Sequence, residues 1–144
     1  MNLSKNAKTV VISNAVAAGT SDLATLNSVD MQNYESVMFV IQFGAIVAGA
    51  ATSVKTQQSA DDSSFADLEG TSQTVLDTDD NKAFVIDIVK PLDRYVRPVV
   101  LRATQNSTIE SITAVLYGAR KMPITNDATI GGSETHVSPD EGTA

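Results

Sequence analysis

Most protein active sites are assembled from histidine, cysteine, serine and paired carboxylates, and in this chain those side chains are either missing or poorly placed. The single histidine, His136, follows Gly131-Gly132-Ser133-Glu134-Thr135, a low-complexity stretch that would not hold a general base within reach of a substrate proton. Cysteine is absent, which removes disulfides, thiolate zinc sites, iron–sulfur clusters and cysteine nucleophiles together. With no second histidine either, transition-metal sites lack their usual ligands. No serine stands in a G-x-S-x-G elbow, and no positioned histidine could complete a triad.

Three further patterns invite chemistry and read better as turns. Asp61-Asp62 and Asp77-x-Asp79-Asp80 could supply Ca²⁺ ligands or a glycosidase carboxylate pair, yet neither follows a calcium-loop pattern. Both consist of the residues that solvated turns require. Gly131-Gly132 lacks the following Lys-Ser/Thr and the strand-to-helix context of a phosphate loop. Asn106-Ser107-Thr108 matches the glycosylation sequon but reads better as a turn before the last strand, since no signal peptide is expected. The expectation is a protein without catalytic residues, cofactor or metal.

Binding is the remaining chemistry, and the charge distribution locates it. The chain has a formal net charge of −7, which opposes direct attraction to nucleic acid or an anionic membrane. Yet residues 90–122 hold six bases against two acids, while residues 123–144 hold four acids and no Lys or Arg. Within the basic segment Arg94, Tyr95, Arg97 and Arg102 follow one another, with Arg120 further on. Tyr95 and Arg97 would share a strand face, and Arg with Tyr is the pairing that interface anchors favour. The competing reading is that these arginines only neutralise the protein's own acidic turns.

Short strands must carry these residues. At 144 residues one domain is expected, with an aliphatic core, since aromatics make up only 5% and tryptophan is absent. Thr9–Ser13 is a β-branched run followed by a turn, and Asp22–Met31 alternates loosely as a second strand. Ser36–Gly44 is apolar on both faces, the pattern of a strand buried between two layers. Ala45–Ala51 suits a connection and Thr52–Gln58 a half-exposed strand. Asp61–Glu69 reads as a short helical turn carrying Phe65, Ala66 and Leu68 and ended by Gly70.

Ser72–Leu76 and Ala83–Val89 flank the polar turn Asp77–Asn81. Arg94–Ala103 alternates, with Pro98 implying an edge position or a bulge. Thr108–Tyr117 closes the series, with Ile109, Ser111, Thr113, Val115 and Tyr117 opposite Ile112, Ala114 and Leu116. The fold expected is all-β, an antiparallel β-sandwich or jelly roll of about eight short strands with one helical turn and extended terminal arms. Its domain would span residues 1–123 with a short N-terminal extension. Residues 124–144 form an extended C-terminal arm whose large apolar residues Ile124, Ile130 and Val137 would await a partner surface. No apolar run approaches the length of a membrane helix, and a soluble, cytosolic chain is expected.

The order of segments resembles a known family. Val29-Asp30-Met31-Gln32 running into Ser36-Val37-Met38-Phe39-Val40, then Phe43-Gly44-Ala45, Lys55-Thr56-Gln57-Gln58-Ser59, Phe65-Ala66-Asp67-Leu68, Arg94-Tyr95-Val96-Arg97 and Ala114-Val115-Leu116-Tyr117-Gly118-Ala119-Arg120 are similar to small proteins encoded among the head genes of tailed bacteriophages and prophages. The resemblance covers about residues 20–125 and contains no active-site motif. It implies a capsid decoration, or cement, protein: a jelly roll on the outside of an HK97-type shell, bridging neighbouring capsomers. The implied partners are the major capsid protein and further copies of the chain, as a dimer or trimer. The implied location is the virion exterior, after assembly in the host cytoplasm. A head-fibre or tail component is the alternative. A carbohydrate-binding sandwich using Tyr34, Tyr95 or Tyr117 is a poorer one, because glycan-binding faces usually expose several aromatics.

Overall fold

Val, Ile and Thr recur at the alternating spacing that a pleated, half-buried surface favours, and strands dominate the computed structural model, which describes residues 2–143. The terminal residues of the two expected segments, Met1 and Ala144, lie outside the described residues. A short helix α1 (Leu3–Asn6) leads into β1 (Lys8–Ser13), β2 (Val16–Gly19), β3 (Val29–Asp30), β4 (Ser36–Ile46) and β5 (Ala51–Ser59). Then come β6 (Ala66–Asp67), β7 (Gln73–Val75), β8 (Ala83–Val89), β9 (Tyr95–Ala103) and β10 (Ser107–Tyr117).

All pairings are antiparallel, and they make two sheets. The first has the order β1-β10-β4-β8, with β2 continuing the line of β1 beside β10. The second has the order β3-β9-β5-β6, with β7 also on β5. Counting β1 with β2 and β6 with β7 as single interrupted strands gives eight. First then pairs with last, second with seventh, third with sixth and fourth with fifth, which is one long hairpin rolled into a two-sheet jelly roll.

The core fills the space between the sheets. Val37, Phe39, Ile41 and Phe43 of β4 are wholly buried there, against Ile109, Ile112 and Leu116 of β10 and Val54, Val96 and Val100 of the second sheet. Phe43 meets Phe84 edge-on, with ring centroids 5.6 Å apart. Two register shifts tune the pattern. One between Ile109 and Ser111 turns Ile109 inward with Ile112, Ala114 and Leu116. The face expected to hold Ile109 with Ser111 and Tyr117 is therefore wrong at that one residue, because a bulge re-aims the side chains on one side of it.

The expectation of an edge position or a bulge at Pro98 is corrected: β9 is an interior strand between β3 and β5, and Pro98 sits in regular register with Thr56 at a local gap in the pairing on the β3 side. Leu23 and Val100 exchange backbone hydrogen bonds of 2.7 and 3.2 Å, and the Met31 N–H donates to the Arg94 carbonyl. The even-numbered residues of β9 thus turn their peptide groups away from β5. Pro98 faces the gap between β3 and Leu23, where no ladder partner waits for the N–H it lacks.

Four local expectations are corrected. The stretch Asp22–Met31 is mostly loop, holding only the bridge at Leu23 and the two-residue β3. Residues Val16–Gly19, expected as a turn, pair with β10 instead. The segment Asp61–Glu69 is not helical: Asp61 accepts the N–H groups of Ser63 and Ser64 at 3.0 and 2.8 Å, closing a turn, and Ala66–Asp67 then pairs with β5. A polar side chain that satisfies backbone donors locally competes with helix formation. Lastly, β4 is covered on one face only, since Met38, Val40 and Gln42 look outward with no layer over them.

Candidate interaction surfaces

The basic segment lies mainly on β9, so its residues divide by strand parity. Tyr95 and Arg97 do share the outer face of the second sheet. There Arg97 lies over the ring of Phe65, 3.8 Å from its centroid, and its Nε donates to Gln57 at 2.9 Å. The Gln57 amide donates in turn to Asp67, which takes Lys55 Nζ at 2.6 Å. The Lys55 ammonium holds the Asp67 carboxyl below its usual range, with the Gln57 contact adding to the effect. This outer face is a connected polar network, and its groups are largely engaged with one another.

Arg94, just before β9, forms a fork with Asp30: Nε and one terminal nitrogen reach the two carboxylate oxygens at 2.8 and 2.7 Å, and Gln32 accepts at 2.7 Å. The guanidinium also lies 5.2 Å over the Tyr95 ring. Its hydrogen bonds keep Asp30 below the ordinary aspartate range. Arg120 reaches the same end of the sandwich because Gly118, at φ +66°, turns the chain after β10; a Cβ there would come within 2.7 Å of Glu35 Cβ. The Arg120 N–H then donates to the Asn33 carbonyl at 2.8 Å. Lys90, Arg94, Arg120 and Tyr34 line an open groove of about 730 Å³ at this end.

Arg102 does not belong to a surface. It is 5% exposed, and its guanidinium donates to three carbonyls, Ser21 at 2.7 Å, Ala17 at 3.1 Å and Ser107 at 2.8 Å. Its N–H goes to Asp22 at 2.8 Å. The expectation that Arg102 contacts a partner is corrected, because an even-numbered position on β9 points between the sheets, where it clamps one to the other.

The arm divides as well. Ile124 and Ile130 are half-buried against the chain's own N-terminal edge. There the Ile124 N–H donates to the Lys5 carbonyl at 3.1 Å, the Val11 N–H to Thr129 Oγ1 at 3.0 Å, and Lys8 pairs with Asp127 at 3.3 Å. These contacts occupy the free edge of β1, a usual way of protecting a terminal strand. Residues 124–130 therefore dock on their own domain and need no partner for order. Thr135 returns to hydrogen-bond Ser4. Residues 131–143 are exposed throughout, with Val137 94% exposed.

The acidic turns serve the backbone. Asp77 and Asp80 accept the N–H groups of Gly49 and Ile46 at 2.7 and 2.6 Å, and Asp79 that of Leu76 at 2.9 Å. Among the described residues no group of three His, Cys, Asp or Glu side chains is arranged to hold a metal. Among the described residues no helix is long and apolar enough to cross a membrane.

One surface escaped the sequence reading. On the outer face of the first sheet Val11, Thr113, Val40 and Val85 line up across the strands, with Met38 and Val115 in the next row. At the end of that face an apolar groove of about 700 Å³ opens between Leu3 of α1, Met38, Val115, Tyr117 and Met122. Leu3 and Met122 are 64% and 59% exposed. The signal was present in the doubly apolar run Ser36–Phe43: in a two-layer fold such a strand leaves one apolar face outside.

No family model matches the chain, and no curated protein matches it by sequence. Among solved structures it is similar to the PBSX exported protein XepA, at 15% identity and a TM-score of 0.56 over 96% of this chain and 46% of XepA. It also overlaps the SPBc2 prophage-derived protein YomS, at 11% identity and a TM-score of 0.46 over 77% of this chain and 92% of YomS. The chain thus spans less than half the length of XepA. The likeness to XepA is one of fold.

Proposed function

We propose that this chain is a non-enzymatic structural component of a phage-related particle, and that it binds the outer surface of an HK97-type capsid as a cement protein bridging neighbouring capsomers. The observation that carries the reading is the division of the molecule's surface. One outer face is mostly polar and engaged with itself, while the other carries an uncovered apolar patch beside an exposed acidic tail. Uncovered apolar area of this kind on a small domain marks an interaction surface. The phage setting comes from the segment resemblance. The end groove with Arg94 and Arg120 supplies directional cations for a protein partner.

The test is to purify particles from cells expressing the chain, count its copies by quantitative mass spectrometry, and image them by cryo-electron microscopy. Hundreds of copies per particle, as density on the shell at capsomer junctions, are expected. A few copies at one vertex or along the tail would replace this reading with the head-fibre or tail alternative. Complete recovery in the particle-free supernatant would overturn both.

A further inference from the structure

A strand at the edge of a sheet presents a row of peptide groups that another strand can satisfy, and folded proteins usually shorten or cover such edges. Most edges of this molecule follow that practice. The arm lies along β1, where Thr129, Asp127 and Ile124 engage Val11, Lys8 and Lys5. Strands β2, β3, β6 and β7 are four residues long or shorter. The exception is β8, which ends the first sheet beyond β4. It runs for seven residues, Ala83-Phe84-Val85-Ile86-Asp87-Ile88-Val89, without Lys, Pro or Gly.

The peptide groups of β8 divide by parity. The Phe43 N–H donates to the Lys82 carbonyl at 3.0 Å and the Lys90 N–H to the Glu35 carbonyl at 3.1 Å. In the regular register between these two bonds the even-numbered residues of β8 face β4. Ala83, Val85, Asp87 and Val89 therefore turn both N–H and C=O to the open side. Of these groups only the Val85 carbonyl has a partner among the described residues, the side-chain amide of Gln73 at 2.9 Å. The side chains along the edge are incompletely covered as well. Val85 and Val89 are 47% and 62% exposed on the outer face, and Phe84 and Ile88 are only half-buried on the inner one.

An identical strand fits this edge. Placed antiparallel about a two-fold axis at Ile86, β8 sets Ala83 opposite Val89 of the second copy and Val85 opposite its Asp87, so each open N–H meets an open C=O. Phe84 then lies opposite Ile88 of the second copy, which covers both half-buried side chains. Only this register pairs all seven residues. A shift of two residues one way sets Asp87 against Asp87, and the other way leaves Ile88 and Val89 beyond the facing strand. Past the ends Lys82 comes opposite Lys90, but each already holds a carboxylate of its own chain, Asp79 at 2.8 Å and Glu35 at 3.2 Å.

We infer that β8 pairs with β8 of a second copy of this chain, joining the two first sheets into one continuous sheet across a two-fold axis. A backbone N–H then replaces Gln73 at the Val85 carbonyl. The inference stands independently of the capsid reading, since it concerns only copies of this chain.

Because the Val85 N–H points to the open side, Val85→Pro blocks the pairing without removing a hydrogen bond to β4. Sedimentation equilibrium of the full chain is expected to give two chains per particle, and Val85→Pro one. Val85→Lys, a charge at an exposed edge position, should shift the mass the same way and serves if the proline variant does not fold. The register is read by cysteine trapping, since the chain has no cysteine of its own. Ala83→Cys and Val89→Cys chains, mixed and mildly oxidised, should give about tenfold more disulfide-linked dimer than either variant alone, because only the mixture sets two thiols opposite each other. A monomeric unmodified chain at its highest soluble concentration would overturn the inference. So would a dimer that the Val85 variants leave intact, or equal trapping by the mixture and the single variants. Pairing that appears only with added capsid protein would assign the edge to that protein and overturn it too.

Discussion

The outer faces of the two sheets are built from the same strand geometry and come out opposite in character. On the second sheet, outward positions of β5 and β9 carry Ser53, Lys55, Gln57, Ser59, Tyr95 and Arg97 with Val99 and Leu101 among them; the longer polar side chains find partners in one another or in Asp67 and Phe65, and Val99 is buried. On the first sheet, the equivalent positions of β4, β8 and β10 carry Met38, Val40, Val85, Val89 and Val115 as an apolar patch beside Gln42, Asp87, Thr113 and Tyr117. A sheet can face water with a polar side and be complete as a monomer. A sheet with an apolar outer side is complete only against something else. Composition alone hides this difference, because both sheets contribute ordinary residues to one average.

The sharpest way to break the comparison is to exchange neighbours in β4. Phe39 and Val40 are adjacent, but Phe39 is wholly buried between the sheets and Val40 looks out. Phe39→Ala should cost about 3–5 kcal/mol by leaving a core cavity. Val40→Thr keeps the branched shape favoured in strands and should cost less than about 1 kcal/mol in the isolated chain. Urea denaturation of both variants measures the contrast. If Val40→Thr proved as damaging as Phe39→Ala, the outer face of the first sheet would be part of a core and the asymmetry would fail.

A smaller effect is expected at the clamp between the sheets. Arg102 gives its guanidinium donors to the carbonyls of Ala17, Ser21 and Ser107, so Arg102→Ala leaves three acceptors without that donor, the Ser107 carbonyl in a buried place. Hydrogen bonds from a charged donor contribute about 1.5–3 kcal/mol each and are not additive, and a total loss of about 3 kcal/mol is expected in the same denaturation experiment. Arg102→Lys should recover only part of it, because an ammonium cannot fan across three carbonyls as a guanidinium does. An unchanged midpoint for Arg102→Ala would mean that the two sheets are held by apolar packing alone.

Arg102 also marks the limit of what the sequence made legible. The all-β class, the sandwich and the shared face of Tyr95 and Arg97 followed from alternation and turn residues, because side-chain parity is a local property of a strand. Parity even placed Arg102 opposite to Arg97. Which of the two faces is the inner one depends on how the sheets stack, and no local pattern carries that information. The same gap explains Met38 and Val40: a run apolar on both sides says that both faces avoid water, without saying that one of them must wait for a partner. The helical reading of Asp61–Glu69 failed for a different reason. Asp61 has the side chain of a helix cap and accepts two backbone N–H groups, but they close a turn, and Ala66–Asp67 pairs with β5. The arm was legible as a unit and misjudged in half, since Asp127 and Thr129 find Lys8 and Val11 only in three dimensions.

Acid offers the finest probe of the polar side of the comparison. Asp61, at the turn leaving β5, accepts the N–H groups of Ser64 and Ser63 and the hydroxyl of Ser59, and these bonds lower its pKa from 3.8 to about 2, with the Ser64 N–H the largest cause. A carboxyl whose folded pKa is depressed stabilises the fold fully above its unfolded value. That contribution is lost as pH falls toward the folded value, here between about 4 and 2. Nuclear magnetic resonance of the Asp61 carboxyl carbon should therefore give a midpoint near 2, and Ser59→Ala should move it upward without reaching the free value, since the two backbone donors remain. Because the group is exposed, the effect on global stability will be slight, and the loss of order should be confined to residues 61–64. A midpoint at the ordinary aspartate value would show that the turn is held by its neighbours and not by its carboxylate, and that the polar side of the molecule owes less to its hydrogen bonds than the comparison requires.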